Sequence, residues 1–298
     1  MTAPLLEVRN LPVDVPLVGR NHQILKGVSF QIMPGEAFGL VGESGSGKSV
    51  TSLATMGLLK KPLRVTGGDI LFQGKSLLGL KKREMRALRG NRIAMIFQEP
   101  MTALNPLKTV GRQIAEMFVL HQGKTWAEAD KLAVQALAQV RVPNPESRAR
   151  NFPHQMSGGL RQRVMIAMAL SCNPDLLIAD EPTTALDVTV QAEVLKLIRE
   201  LCAERGTAVL LISHDLGVIA EMCQRVGVMY SGVLVEENYA RELFLDPQHD
   251  YTKGLLGALP RLGSRLEHGR SRLVDIDSII SDRSVLTQKR FIAPREQV

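Results

Sequence analysis

The chain has 298 residues, 45% of them hydrophobic and 22% charged, the composition of an ordinary globular protein long enough for one large domain or two smaller ones. A net charge of +7, from 37 basic and 30 acidic residues, is compatible with nucleic acid, an anionic membrane, a phosphate ligand or a merely solvated basic surface, and selects none of them. Three scattered cysteines, Cys172, Cys202 and Cys223, lack metal-like spacing and read as buried thiols in a reducing compartment.

The opening residues, MTAPLLEVRN, lack the basic patch and long apolar core of a signal peptide. No run approaches the ~18 apolar residues needed to span a bilayer. The expectation is a chain soluble on its own that reaches a membrane only through a partner.

In chain order, GVSFQI at 27–32 places Val28, Phe30 and Ile32 on one face, the period of a half-buried strand. EAFGLVG at 36–42 and RIAMIFQ at 92–98 read as buried strands, and GDILFQG at 68–74 as a strand bounded by glycines. Between 106 and 156 the pattern turns helical: Val110, Ile114, Met117 and Phe118 recur at helical spacing, and Thr125 with Glu128 forms a capping box. Ser157, Gly158 and Gly159 then open a helical stretch running to Leu170. Uncovered N–H groups at such a start make an anion site. Strands return in DLLIAD, AVLLIS and RVGVMY. The helix between the first two carries Val190, Val194, Leu197, Ile198 and Leu201 on one face and ends at Gly206. Buried strands alternating with helices predict a mostly parallel α/β sheet.

Chemistry enters with GLVGESGSGKSVTSL. Gly42, four residues, then Gly47, Lys48 and Ser49 follow a predicted strand and open a predicted helix, the context a phosphate loop requires. Glycines let successive N–H groups turn toward phosphate oxygens; Lys48 reaches the β- and γ-phosphates, and the Ser49 hydroxyl ligates Mg²⁺. The alternative is a glycine-rich turn without a ligand. LLIADEP ends a strand in Asp180 and Glu181, at the carboxyl edge where α/β sheets bind ligands. Asp180 suits Mg²⁺ and Glu181 suits activation of the attacking water; helix-capping acids before Pro182 are the plainer alternative. His214 after AVLLIS and Gln98 after AMIFQ stand at strand ends in the same way: His214 as a γ-phosphate contact or a helix cap, Gln98 as a partner of Mg²⁺ or the attacking water. The other histidines, His22, His121, His154, His249 and His268, show no ligand spacing and are assigned no chemistry.

Together these segments resemble the ATP-binding subunit of an ABC transporter. GESGSGKS matches the phosphate loop (Gly42, Glu43, Ser44, Gly45, Ser46, Gly47, Lys48 and Ser49, followed by Val50), Gln98 the Q-loop, and MSGGLRQRV the family signature. LLIADEP matches the Walker B strand, TALD the D-loop with Asp187, and ISHD the switch-histidine loop, all in the family's order between about 7 and 260. IFQEPMTALNPLKTVG and LFLDPQHDYTKGLLGALP further resemble the peptide and nickel importers that work with a binding protein.

The resemblance implies a P-loop NTPase of the ABC ATPase fold: a RecA-like core with an N-terminal antiparallel β-subdomain over 1–105 and 165–260, a helical subdomain over 106–164, and a C-terminal extension over 261–298. It implies ATP and Mg²⁺, with Glu181, His214, Lys48 and Gln98 in catalysis and Ser49, Gln98 and Asp180 around the metal. Ser157, Gly158 and Gly159 would act on the ATP of a second ATPase subunit, a homologous chain or a second copy. The implied setting is the cytoplasmic face of the cell membrane, with two membrane permease subunits, a periplasmic or extracellular binding protein, and no nucleic acid. Met101, Leu104, Val110 and Met117 would contact a permease coupling helix, or else pack within the helical segment. Peptides are the first expectation for the cargo, and nickel or another small solute the alternative. A DNA- or ribosome-acting relative would carry coiled-coil insertions or a second cassette, a non-hydrolysing subunit is disfavoured by Lys48, Glu181 and His214, and an exporter would show a fused membrane domain.

Three departures stand out. Met156 and Leu160 replace the Leu and Gln usual in the signature, and Val15 stands where an aromatic residue usually stacks on adenine. No cysteine follows Cys223, so the iron–sulfur site that relatives' C-terminal cysteines resemble is not expected. Leu160 removes a polar side chain but no backbone donor, so it should weaken the partner's ATP site modestly, and Gln at this position should raise ATPase activity.

Overall fold

The computed structural model describes residues 3–17, 20–99, 103–184 and 186–257. The N-terminal part forms an antiparallel layer from β1 (Leu6–Leu17), β2 (Arg20–Ile32), β4 (Arg64–Val65), β5 (Asp69–Phe72) and β6 (Lys75–Ser76). Its order is β2-β1-β5-β6, with β4 beside β1. Irregular register between Val8 and Leu11 keeps Leu6, Val8, Leu11 and Val13 all buried, as a bulge allows.

A second sheet holds β3 (Ala37–Val41), β7 (Ile93–Ile96), β8 (Leu176–Asp180), β9 (Ala208–Ile212), β10 (Arg225–Tyr230) and β11 (Val233–Tyr239). The order is β11-β10-β3-β9-β8-β7; β11 runs antiparallel to β10 and the other pairings are parallel. Every residue of β7, β8 and β9 is buried, as expected for parallel strands covered on both faces. Strand alternation feeds two cores: Leu176, Ile178, Leu210 and Ile212 face the antiparallel layer, whereas Leu177, Ala179, Val209 and Leu211 face the helices.

β11 is a strand that the apolar patterns do not announce. VLVEENY carries two acids and an amide, yet Glu236, Glu237 and Asn238 are all buried. Arg225 pairs with both Glu36 and Glu237, and Glu236 accepts the backbone N–H groups of Gln248 and His249. Partnered charges are what make such burial tolerable.

The helical segment is built from α3 (Val110–Gln122), α4 (Trp126–Gln139), α5 (Pro145–Arg148) and α6 (Gly158–Leu170). The Thr125–Glu128 capping box forms as expected. α6 runs past the expected boundary at 164 and packs against β7, so one helix belongs to both regions. The remaining helices are α1 (Lys48–Thr55), α2 (Lys82–Leu88), α7 (Val188–Arg205), α8 (Leu216–Met222), α9 (Ala240–Leu245) and α10 (Asp250–Gly257). Among the described residues no helix is long and apolar enough to cross a membrane. The three cysteines are free and buried. Burial pushes the Cys172 thiol up and the Cys202 thiol up to about 12, so neither is a ready nucleophile.

Candidate active site

The turns after β3, β7, β8 and β9 all open at the carboxyl edge of the parallel sheet, and they carry the residues singled out above. The phosphate loop leaves β3 at Val41. Gly42 has φ +145, and a Cβ there would lie 2.1 Å from the Met229 carbonyl oxygen; Gly47 has φ +104 and would meet Leu25 at 2.5 Å. Side chains are excluded at both positions, so the backbone itself forms the cradle. α1 starts at Lys48 with no side-chain cap, which leaves its leading N–H groups for an anion.

Lys48 is 5% exposed and lies folded along this loop. Its Nζ donates to the carbonyls of Gly42 (2.7 Å) and Glu43 (2.8 Å) and more weakly to Ser46 Oγ (3.4 Å). Burial lowers its pKa, opposed by the carboxylates of Glu181, Asp180 and Glu43. Glu43, Ser44 and Gly45 are exposed at the mouth, Ser46 is buried, and Val50 is half-buried on α1.

Asp180 ends β8 directly beneath the start of α1. It accepts from Ser49 Oγ (3.0 Å) and Ser52 Oγ (3.3 Å). Burial raises its pKa, and those two hydroxyls work the other way. A hydroxyl and a carboxylate side by side, close to a phosphate loop, are a donor set that Mg²⁺ accepts, because that ion takes one or two protein oxygens and completes its shell with phosphate and water.

Glu181, the next residue, sits at φ 46. That left-handed conformation costs a non-glycine residue about 1 kcal/mol or more, and here it turns the carboxylate into the mouth of the site. Glu181 Oε2 accepts from Gln98 Nε2 (2.8 Å) and Thr184 Oγ1 (2.9 Å), and Oε1 lies 3.4 Å from His214 Nδ1. Strand ends far apart in sequence thus converge on one carboxylate, and Lys48, Ser49, Gln98, Asp180, Glu181 and His214 form one cluster.

Ser157, Gly158 and Gly159 are placed elsewhere, at the start of α6. The Ser157 hydroxyl accepts the Leu160 N–H (3.4 Å) and its carbonyl accepts the Arg161 N–H (2.9 Å), so the glycines supply the leading N–H groups. Their neighbours are Leu186 and Val190; a Cβ on Gly159 would meet Val190 at 2.9 Å. Asp187 caps α7 by accepting from Val190 N (3.0 Å). Met156 is buried in the core, and Leu160, half-buried, packs against it. Val15 is half-buried on β1.

Three contributors escape a motif reading. Thr184 holds Glu181; Ser52 holds Asp180; and Gln162, only 2% exposed, donates from α6 to the Pro182 carbonyl beside Glu181. Thr184, three residues after Glu181, could have been found from local spacing; Gln162 gives no such signal.

Behind Gln98 lies a cavity of about 470 Å³ lined by Met56, Leu58, Phe97, Met117 and Met168, with Arg83, Arg86 and Arg89. Met117, one of the residues expected to contact a partner, is at this cavity. Leu104 and Val110 are not: both are buried in the core, 2% and 0% exposed, which leaves them no surface for a partner. Met101 lies outside the described residues.

The sequence profile described as ABC transporter matches residues 25–184, a span that runs from β2 through the Asp180–Glu181 pair. The chain belongs to the ABC transporter family. This cassette is 52% identical over 277 residues to a protein of Sinorhizobium fredii named probable peptide ABC transporter ATP-binding protein, covering 93% of the chain and 82% of that relative. It is 51% identical to the dipeptide transport ATP-binding protein DppD of Bacillus subtilis, covering 87% of the chain and 77% of the relative. Among solved structures, a dimeric ATP-binding cassette in a post-hydrolysis state with ADP and Pi, MJ0796, matches with TM-score 0.71 and 28% identity over 79% of the chain and 99% of the neighbour. The cassette CbiO1 of Clostridium perfringens, part of a transporter complex, matches with TM-score 0.68 and 27% identity over 82% and 91% of the two chains. The cassette is an ATP-hydrolysing domain of the P-loop α/β class.

Proposed function

We propose that this cassette is the ATPase subunit of a binding-protein-dependent importer of peptides, held peripherally at the cytoplasmic face of the membrane by two permease subunits. The observation that carries the proposal is the convergence of Gln98, Thr184 and His214 on Glu181, beside a phosphate loop whose lysine is buried. The names of its peptide-transporting relatives support the cargo class.

In this reading the phosphates of ATP seat on the N–H groups leading into α1, from Gly45 to Val50. Lys48 exchanges the carbonyls of Gly42 and Glu43 for phosphate oxygens, one set of hydrogen bonds for another. Ser49, Asp180 and Gln98 would hold Mg²⁺, which when bound neutralises phosphate charge. Glu181, fixed from two sides, orients the attacking water and takes its proton; His214 contacts the γ-phosphate. Positioning and charge stabilisation supply most of the acceleration in phosphoryl transfer.

Two such subunits, this one with a homologous chain or a second copy, close head to tail. The N–H groups of Gly158 and Gly159 then complete the partner's site while Asp187 lines the junction. Loss of the γ-phosphate releases that closure, and the permeases convert the opening into transport. The cavity beside Gln98 is the groove for a permease coupling helix, with Met117 among its walls. The test is ATP hydrolysis by the complex with its permeases in liposomes. A peptide-loaded binding protein should stimulate turnover severalfold; stimulation by a loaded metal-binding protein and not by a peptide one would reassign the cargo.

A further inference from the structure

The phosphate loop rests on a floor built by the C-terminal part of the chain, beyond the residues that match the family profile. Gly42 lies against the Met229 carbonyl of β10, and the Gly232 N–H in the β10–β11 turn donates to the Ser46 carbonyl (3.0 Å). Tyr251, in the first turn of α10, completes that floor. It is 0% exposed, its ring is 4.4 Å from that of Tyr230, and its hydroxyl accepts the Glu43 N–H at 3.2 Å.

That bond bears on one peptide unit. The carbonyl of the Gly42–Glu43 peptide accepts from Lys48 Nζ (2.7 Å), while its N–H donates to Tyr251 (3.2 Å), so the plane is clamped at both ends. When Lys48 turns to phosphate, the lysine end of the clamp is released and Tyr251 keeps the peptide plane in place. Tyr251 is itself fixed: its N–H donates to His249 Nδ1 (3.1 Å), and the His249 N–H is held by buried Glu236 (3.0 Å). β11 and α10 thus deliver one hydroxyl to the loop.

We infer that Tyr251 is a positioning residue for the phosphate loop, holding the Gly42–Glu43 peptide in the nucleotide-binding orientation. The inference rests on the reading of that loop as the ATP site. The test is Tyr251→Phe in the full chain, which removes one oxygen. Titration with a fluorescent ATP analogue should show about three- to tenfold weaker binding, the span of one neutral hydrogen bond. In the assembled transporter KM for ATP should rise by a similar factor, with kcat within about twofold of wild type. Exchange of the Glu43 amide, followed by NMR without nucleotide, should accelerate. Unchanged ATP affinity and KM, whatever happens to the melting temperature, would overturn the inference and leave Tyr251 a packing residue. Failure of the wild-type chain to bind ATP would sink the ATP reading, while the Glu43 exchange rate would still report the hydrogen bond.

Discussion

Glu181 gains its setting from contacts at both carboxylate oxygens, and Thr184 is the local one. Its hydroxyl lies 2.9 Å from Oε2, within a turn that carries Glu181 at φ 46. A carboxylate that must orient water needs this restraint more than it needs binding energy, so the effect belongs in kcat. Thr184→Val should lower kcat about three- to tenfold, the worth of one hydrogen bond, with KM for ATP unchanged. Thr184→Ser should restore it, and steady-state kinetics of the reconstituted complex provides the check. Much of this cluster is legible from sequence, because Lys48, Ser49, Asp180 and Glu181 occupy positions that phosphate chemistry dictates. Thr184 gives a weaker signal, its local spacing three residues after Glu181.

At the scale of elements, α6 and the segment after β8 are tied by Gln162, whose buried amide donates to the Pro182 carbonyl. The helix that opens with Gly158 and Gly159 is thereby anchored next to this chain's own Glu181. Gln162→Leu keeps the volume and leaves the buried carbonyl without its donor, at a cost of about 1–3 kcal/mol. A drop of roughly 2–8 °C in melting temperature should follow by calorimetry, and a melting temperature equal to wild type would show the bond to be idle. Strands β3, β8 and β9 could be read in advance because a parallel strand covered on both faces is apolar throughout. β11 could not. Its Glu236, Glu237 and Asn238 break any apolar run, and Glu236 and Glu237 are buried against the N–H groups of Gln248 and His249 and against Arg225. The link from Tyr251 to Glu43 spans 208 residues, a pairing that no local pattern contains.

At the scale of the molecule, the parallel sheet separates two cores, and the site lies at its carboxyl edge where the loops after β3, β7, β8 and β9 meet. The sequence already places Asp180, Glu181, His214 and Gln98 at strand ends; the fold adds that Gln98, Thr184 and His214 meet on the Glu181 carboxylate. The same arrangement puts Phe97 in the wall of the cavity and the next residue, Gln98, on the Glu181 carboxylate, a short route to the attacking water if the proposed permease contact is made there. In the proposed mechanism Glu181 activates that water while Lys48 and the loop hold the nucleotide. Glu181→Gln in the assembled complex tests it most directly, by measuring bound ATP and phosphate release in one sample. ATP should be retained at near-stoichiometric occupancy in closed subunit pairs, with turnover reduced at least about 100-fold. Wild-type turnover in that variant would contradict it.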